Sequence, residues 1–193
     1  MSYLPDHFTN NSWDTLKRFI EQFPLATLIT TYNSELFTSH IPFIIEEDRL
    51  LGHINKDNPQ FQHLHLSKVE LVFHGGDSYI SPAAFDTDEL PTFNFAKVHI
   101  KGQARFVDEN RLVSSLVEMT SRFDDAFELT KDHPKIDQLK HFIQGLEVKI
   151  EDVNGRFKMS QDKSQHHFEK AKDLFSKTQK ARMNWLLNQL EKK

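Results

Sequence analysis

Ala96-Lys97-Val98-His99-Ile100-Lys101-Gly102-Gln103-Ala104-Arg105-Phe106 alternates small or apolar residues with polar ones over its whole length. Side chains on a strand point to opposite faces in turn, so this spacing predicts a long strand with one buried and one wet face. Upstream, Leu25 to Tyr32 and Leu36 to Ile45 read as two strands around the turn Asn33-Ser34-Glu35, a β-hairpin. Arg49 to Ile54 is a third strand and Val69 to His74 a fourth, closed by Gly75-Gly76. Downstream, Leu146 to Val153 and Arg156 to Met159 flank Asn154-Gly155, a strong hairpin signal.

Helical spacing fills the gaps. Ser12 can cap a helix over 13–23, where Trp13, Leu16, Phe19, Ile20 and Phe23 recur three and four apart before Pro24 stops it. Residues 59–66 look helical, Asp108 can cap a helix reaching Phe127, and a further helix runs from Pro134 to near Gly145. In the Asp108 helix, Leu112, Val113, Leu116, Val117, Thr120 and Phe123 share one side. Gln165 to Leu190 is helical and very polar, with a narrow stripe from Phe168 through Leu174 to Trp185 and Leu186. Such a stripe must cover something, and its own domain or a dimer mate is the expected surface. The expected class is α+β, mainly β: six to seven mostly antiparallel strands forming a small barrel, with peripheral helices and a long C-terminal helix.

The 193 residues suffice for a core, expected to be rich in phenylalanine because 17 Phe stand against 2 Trp and 3 Tyr. A net charge of −4 gives no general attraction to nucleic acid or anionic membrane. There is no Cys, which excludes disulfides, thiolate metal sites and a cysteine nucleophile. The first residues have no basic or apolar leader character, and no run of about 18 apolar residues occurs, so a soluble cytoplasmic protein with no membrane partner is expected.

Phosphate-loop, dinucleotide-binding, serine-elbow and zinc-protease signatures are missing. His63 and His65 lie two apart on a helix and would diverge, His166-His167 reads as a helix-surface pair, and the loop acids Asp86, Asp88 and Glu89 lack calcium-loop spacing, so no metal site is expected. Four polar stretches stand out. Gly52-His53-Ile54-Asn55-Lys56-Asp57-Asn58-Pro59-Gln60-Phe61 leaves a strand and enters a helix, where free N–H groups, the helix dipole and Lys56 suit a phosphate. Thr38-Ser39-His40-Ile41-Pro42 sets hydroxyls and an imidazole on the second strand. Pro91-Thr92-Phe93-Asn94-Phe95 brings an amide that can both donate to and accept from a flat polar ring. Lys158-Met159-Ser160-Gln161-Asp162-Lys163 adds further cations. Lysines and amides with no acid–base dyad point to holding an anionic ring compound rather than hydrolysing a bond.

With those residues assembled, the chain resembles the PaiB-type family of FMN-binding transcriptional regulators, relatives of the pyridoxamine phosphate oxidase-like split barrels. The resemblance runs from Tyr3-Leu4-Pro5 to Lys163. It is carried by Leu28-Ile29-Thr30-Thr31, Ser39-His40-Ile41-Pro42, Gly52-His53, Asn58-Pro59-Gln60, Tyr79-Ile80-Ser81-Pro82, Pro91 to Phe95, Val98-His99, Gly102 and Ser160-Gln161. It implies a split β-barrel over residues 1–163, a helical extension over 164–193, and a homodimer with FMN between subunits. The implied cofactor-binding residues are Thr30, Ser39, His40, His53, Asn55, Lys56, Asn58, Thr92, Asn94, Gln161 and Lys163. Lys56 and Lys163 stand where the family usually has arginines, which keeps the charge and loses the bidentate fork. Asp57 sets a negative charge beside the implied phosphate, and Phe61, Phe93 and Phe95 replace larger or hydroxylated rings.

The implied role is a flavin-dependent regulatory or binding protein. No helix-turn-helix or basic recognition helix is present, so direct DNA contact has no support from the residues themselves. One alternative is an enzyme, a flavin reductase or oxidase in which His40, His53 or His99 tunes the ring. Another is a relative that binds haem through a histidine or has lost FMN.

Overall fold

The computed structural model describes residues 5–85 and 90–190. The Tyr3-Leu4 part of the family match and the acids Asp86, Asp88 and Glu89 lie outside the described residues. The strands are β1 (Thr9–Asn10), β2 (Leu25–Tyr32), β3 (Glu35–Pro42), β4 (Ile44–Glu46), β5 (Arg49–Asn55), β6 (Lys68–Ile80), β7 (Thr92–Phe106) and β8 (Ile143–Lys158). The helices are α1 (Trp13–Gln22), α2 (Phe61–Leu64), α3 (Glu109–Phe123), α4 (Pro134–Leu139) and α5 (Gln165–Gln189). Sheet order is β3-β2-β6-β7-β8-β5-β4, with β1 paired to β8 off that path. The pairings β2–β3, β2–β6, β4–β5, β5–β8 and β1–β8 are antiparallel. This is the α+β, mainly β class of the split barrels, with a long C-terminal helix.

Two compact units are built from these elements. The first comprises residues 13–73 and 98–153; of the second, residues 5–12, 74–85, 90–97 and 154–190 are described. In the first unit the β2–β3 hairpin closes through Asn33 and Ser34, whose φ of 50° and 65° give the left-handed pair that matches strand twist. Along β2, Ala26, Leu28 and Thr30 are buried in alternation, so the inward row ends on a hydroxyl. Leu112, Leu116 and Ile143 pack together, and Met119 of α3 packs on Ile44 and Leu51, holding the helix on β4 and β5. At Gly102 a Cβ would lie 2.2 Å from Lys149 O, a close approach of β7 and β8 that no side chain permits.

The core is aliphatic rather than phenylalanine-rich. Only Phe8, Phe43, Phe73 and Phe85 of the 17 are buried, while Leu, Ile and Val fill most of the interior. Each fully buried aliphatic side chain contributes about 1.5–3 kcal/mol.

Several elements depart from the sequence expectation. The Leu36 to Ile45 strand is divided into β3 and β4. β6 passes through Gly75-Gly76 to Ile80, and Gly76 adopts φ 93° within the strand instead of ending it. β8 likewise passes straight through Asn154-Gly155, neither of which has the positive φ of a tight hairpin turn, and Gly155 pairs with Asn10 on β1. α3 stops at Phe123 because Asp124 turns extended and its carboxylate accepts from Ala126 N and Phe127 N at 2.9 and 3.1 Å. Its buried face is Leu112, Ser115, Leu116 and Met119, rotated from the expected side. α4 ends at Leu139, and Gly145 belongs to β8, where a Cβ would sit 2.6 Å from Val107 Cγ2.

In the second unit, Ala171 and Leu174 of α5 pack on Ile80 and Phe85. Gln179 donates to Asp77 O, and Arg182 reaches the Asp77 carboxylate at 2.7 Å. Beyond Lys180 every residue to Leu190 is exposed, including Trp185 and Leu186 of the expected stripe. Among the described residues no helix is long and apolar enough to cross a membrane.

Candidate functional site

The expected cofactor residues fall into two groups, one in each compact unit. Thr30, Ser39, His40, His53, Asn55, Lys56 and Asn58 lie in the first; Thr92, Asn94, Gln161 and Lys163 lie in the second.

In the first group, the chain leaves β5 through two turns closed by asparagine side chains. Asn55 Oδ1 accepts from Asp57 N at 2.8 Å, and Asn58 Oδ1 accepts from Gln60 N at 2.9 Å. Asn58 N donates to Asn55 O, Lys56 N to Phe142 O, and Phe61 N to Asn58 O. The backbone donors expected to face a phosphate are thus already used, Lys56 N on Phe142 O and the others within the turn, and α2 has only 4 residues, too few for a useful helix dipole. Side chains, rather than helix N–H groups, are the donors on offer here. Lys56 Nζ donates to His141 O at 3.1 Å and toward Lys140 O at 3.4 Å, carbonyls at the end of α4, so one of its three protons remains.

Behind this turn runs a chain of neutral hydrogen bonds. Asn58 Nδ2 donates to Ser39 Oγ at 2.8 Å, which ties the turn to β3. Gln60 Nε2 donates to Thr30 Oγ1 at 2.8 Å and to Phe37 O at 3.2 Å, and His63 Nε2 lies 3.0 Å from the same threonine oxygen. Tyr32 stacks on His63 with centroids 4.7 Å apart and planes within 5°. His40 is exposed on β3, its Nδ1 3.2 Å from Thr27 Oγ1. Two buried polar atoms have no partner among the described residues: His53 Nδ1 and Gln60 Oε1. Such atoms are rare in folded proteins, and a bound molecule or water commonly accounts for them. Burial holds the His53 pKa below its ordinary 6.5, so the ring is neutral at physiological pH.

In the second group, Asn94 and Ser160 are both buried and exchange hydrogen bonds, Asn94 Nδ2 to Ser160 Oγ at 2.9 Å and the hydroxyl back to Oδ1 at 3.1 Å. Ser160 holds φ 64°, in the left-handed region that Ser seldom adopts. Lys158 Nζ donates to Thr92 Oγ1 and lies 5.9 Å from the Phe8 ring centroid. Gln161 closes its own turn, accepting from Met159 N at 2.7 Å and donating to Phe157 O. Thr92, Lys158, Ser160 and Lys163 line a cavity of about 400 Å³, with Asp162 Oδ2 3.8 Å from Lys163 Nζ. Among the described residues no cluster of three His, Asp or Glu has the arrangement of a metal site.

Gln60, His63, Lys158 and Ser160 are not among the expected site residues. In the sequence, Gln60 and Ser160 stand out within the polar stretches 52–61 and 158–163 and in short family matches, Lys158 as a cation of the second stretch, and His63 only as a candidate metal ligand. What binds them into networks is side-chain hydrogen bonding between elements far apart in sequence.

The family described as "Putative FMN-binding domain" matches residues 2–152. The chain is 26% identical over 174 residues to "Protease synthase and sporulation protein PAI 2" of Bacillus subtilis, covering 84% of each chain. Among solved structures it is similar to an FAD- and haem-binding protein from Mycobacterium smegmatis, with TM-score 0.66, 16% identity, and 85% of this chain and 80% of that one covered. It is also similar to a flavocytochrome from Azotobacter vinelandii, with TM-score 0.63, 17% identity, and coverage of 80% and 72%. At these identities the two structural likenesses show the fold.

Proposed function

Because this chain belongs to that FMN-binding domain family, we propose that it is a flavin-dependent regulatory protein, a cytoplasmic homodimer with FMN at the subunit interface. The regulatory part rests on the resemblance to PaiB-type regulators. The observation that carries the flavin reading is the unpartnered His53 Nδ1, buried at the strand end that leads into a turn rich in side-chain donors. A flat heterocycle bearing donors, acceptors and a phosphate fits that set: a neutral imidazole to hydrogen-bond the ring, and Lys56, Asn55 and His40 to hold the anion. Asn58 fixes the turn against Ser39, and Thr30 and Gln60 support it from behind. Thr92, Asn94, Gln161 and Lys163 are proposed as flavin ligands on the family resemblance, supported by the lysine-lined cavity of their own unit. When bound, FMN supplies redox chemistry; the protein supplies position and electrostatics.

The test is the visible spectrum of the purified protein, where a flavin band released on denaturation is expected. If no flavin co-purifies and added FMN fails to bind at micromolar concentration, the reading is wrong. Lys56→Ala and Lys163→Ala are each expected to weaken FMN by about tenfold, the loss of one charge-assisted contact. Unchanged affinity in both places the phosphate elsewhere. Steady oxidation of NAD(P)H by the loaded protein would favour an enzyme, and light scattering checks the dimer. A second reading, a haem-binding relative, rests on the same ring nitrogen of His53 and predicts a Soret band instead.

A further inference from the structure

Glu147 sits on β8 with its side chain 5% exposed, yet it serves two cations. Its Oε1 accepts from Arg49 Nη1 on β5 and from Arg105 Nε on β7, each at 2.7 Å. One carboxylate oxygen thus holds two guanidinium groups from the strands on either side. Arg105 is bound through Nε alone, which leaves both of its Nη groups without a partner among the described residues, and Arg49 keeps Nη2. Only the carboxylate is buried: the Arg49 and Arg105 side chains are 38% and 53% exposed, so their unused edges open to solvent.

These unused donors line a cavity of about 770 Å³ in the first unit. His65 adds one more: Phe106 N donates to His65 Nδ1 at 3.0 Å, which puts the proton of the neutral ring on Nε2. Leu66, Phe106 and Val107 give the cavity an apolar wall. Leu66 is held there at φ 63°, a left-handed conformation that costs about 1–2 kcal/mol for a residue with a side chain. Its N–H donates to Ala104 O at 2.8 Å, and Gln103 Nε2 donates to its carbonyl at 3.3 Å. The cost is not recovered by burying Leu66, which is 61% exposed.

Charge narrows the ligand. Arg49, Arg105 and Arg111 are opposed by Glu46, Glu47, Asp108 and Glu147; Arg111 is already paired with Glu46, and Asp48 Oδ1 lies 3.6 Å from Arg49 Nε. A dianionic phosphate would face those acids at close range, whereas a single carboxylate needs only the free guanidinium edges. We propose that this cavity binds a small monocarboxylate with an apolar or aromatic body, its carboxylate on Arg105 and Arg49 and its body against Leu66, Phe106 and Val107. The site is built from residues other than the proposed flavin ligands, so it stands whether or not FMN binds.

The probe is sodium benzoate, titrated into the isotopically labelled full chain and read by amide chemical shifts, with inorganic phosphate as a parallel titration. Saturable shifts are expected at residues 46–49, 65–66 and 105–107 with benzoate and not with phosphate. Arg105→Gln is expected to weaken benzoate by about tenfold, the loss of a charged hydrogen-bonding edge, while Arg49 remains to pair Glu147. Should that variant fold poorly, Arg105→Lys keeps a cation beside Glu147 and lacks the second donor edge, so it should weaken benzoate as well. Non-saturable shifts, phosphate binding as tight as benzoate, or affinity unchanged by loss of the Arg105 fork would each overturn the proposal.

Discussion

Between Asn55 and Gln60 neutral amides and hydroxyls hold one another, whereas around Glu147 full charges do so, and the two regions leave different things unused. In the turn, Asn55, Asn58, Gln60, Ser39 and Thr30 join in short neutral bonds, and apart from one proton of Lys56 what is left over is buried: His53 Nδ1 and Gln60 Oε1. Around Glu147 the buried carboxylate is well served, and what is left over is the outer edge of Arg105, whose side chain is 53% exposed. Neutral networks fix backbone shape at small energetic risk, because each bond contributes only about 0.5–1.5 kcal/mol net. A buried carboxylate carries a larger risk, since an unpaired charge in the interior is far costlier than an unpaired amide.

The sharpest way to break the contrast is Glu147→Gln. It keeps the shape and removes the charge that holds Arg49 and Arg105, and it should cost about 3 kcal/mol, the low end for breaking a buried pair because both arginines are partly exposed. Urea denaturation would show a lower midpoint with an unchanged slope. A loss under about 1 kcal/mol would mean that the carboxylate is interchangeable with an amide, as in the neutral turn.

Gln60→Ala is the matching test in the turn. The side chain is wholly buried and gives up its bonds to Thr30 Oγ1 and Phe37 O, so a loss of about 2 kcal/mol is expected from the groups left unsatisfied. The loss should be smaller than for Glu147→Gln in the same assay. Equal losses would show that the neutral network matters to stability as much as the charged one.

How much of this was legible before folding differs by region for a physical reason. The β2–β3 hairpin could be read because strand alternation and a left-handed Asn33-Ser34 pair agree. Asn154-Gly155 misled because a local turn preference lost to pairing: β8 has β1 beside it at Gly155 and β5 beside it from Ile143 to Lys149. Gly145 misled in the same manner, since close approach to Val107 and Leu112, not a helix end, is what excludes a side chain there. At the candidate site, the pattern marks Asn58 and Ser39 as polar residues on neighbouring elements. The expected use of backbone N–H groups is not met, because asparagine side chains fold the turn back onto them. Glu147, Arg49 and Arg105 carry no signal at all in the sequence, being separated by 98 and 42 positions and joined only by the sheet.

The smallest expected effect separates the two regions by pH. Burial depresses the folded-state pKa of His53, so at pH values below 6.5 the unfolded chain takes up a proton that the folded ring resists. Stability from this group is therefore fully present above 6.5 and falls as pH drops from 6.5 toward the lower folded pKa. His53→Gln, which does not titrate, should flatten that part of the stability curve relative to the parent chain, with urea midpoints measured at each pH. Bound FMN that engages the neutral ring should steepen the same fall in the parent and leave His53→Gln unaffected. A parent curve already flat through this range would mean that the His53 ring is as accessible to protons folded as unfolded, and the turn would lose its claim to a buried, ligand-ready nitrogen.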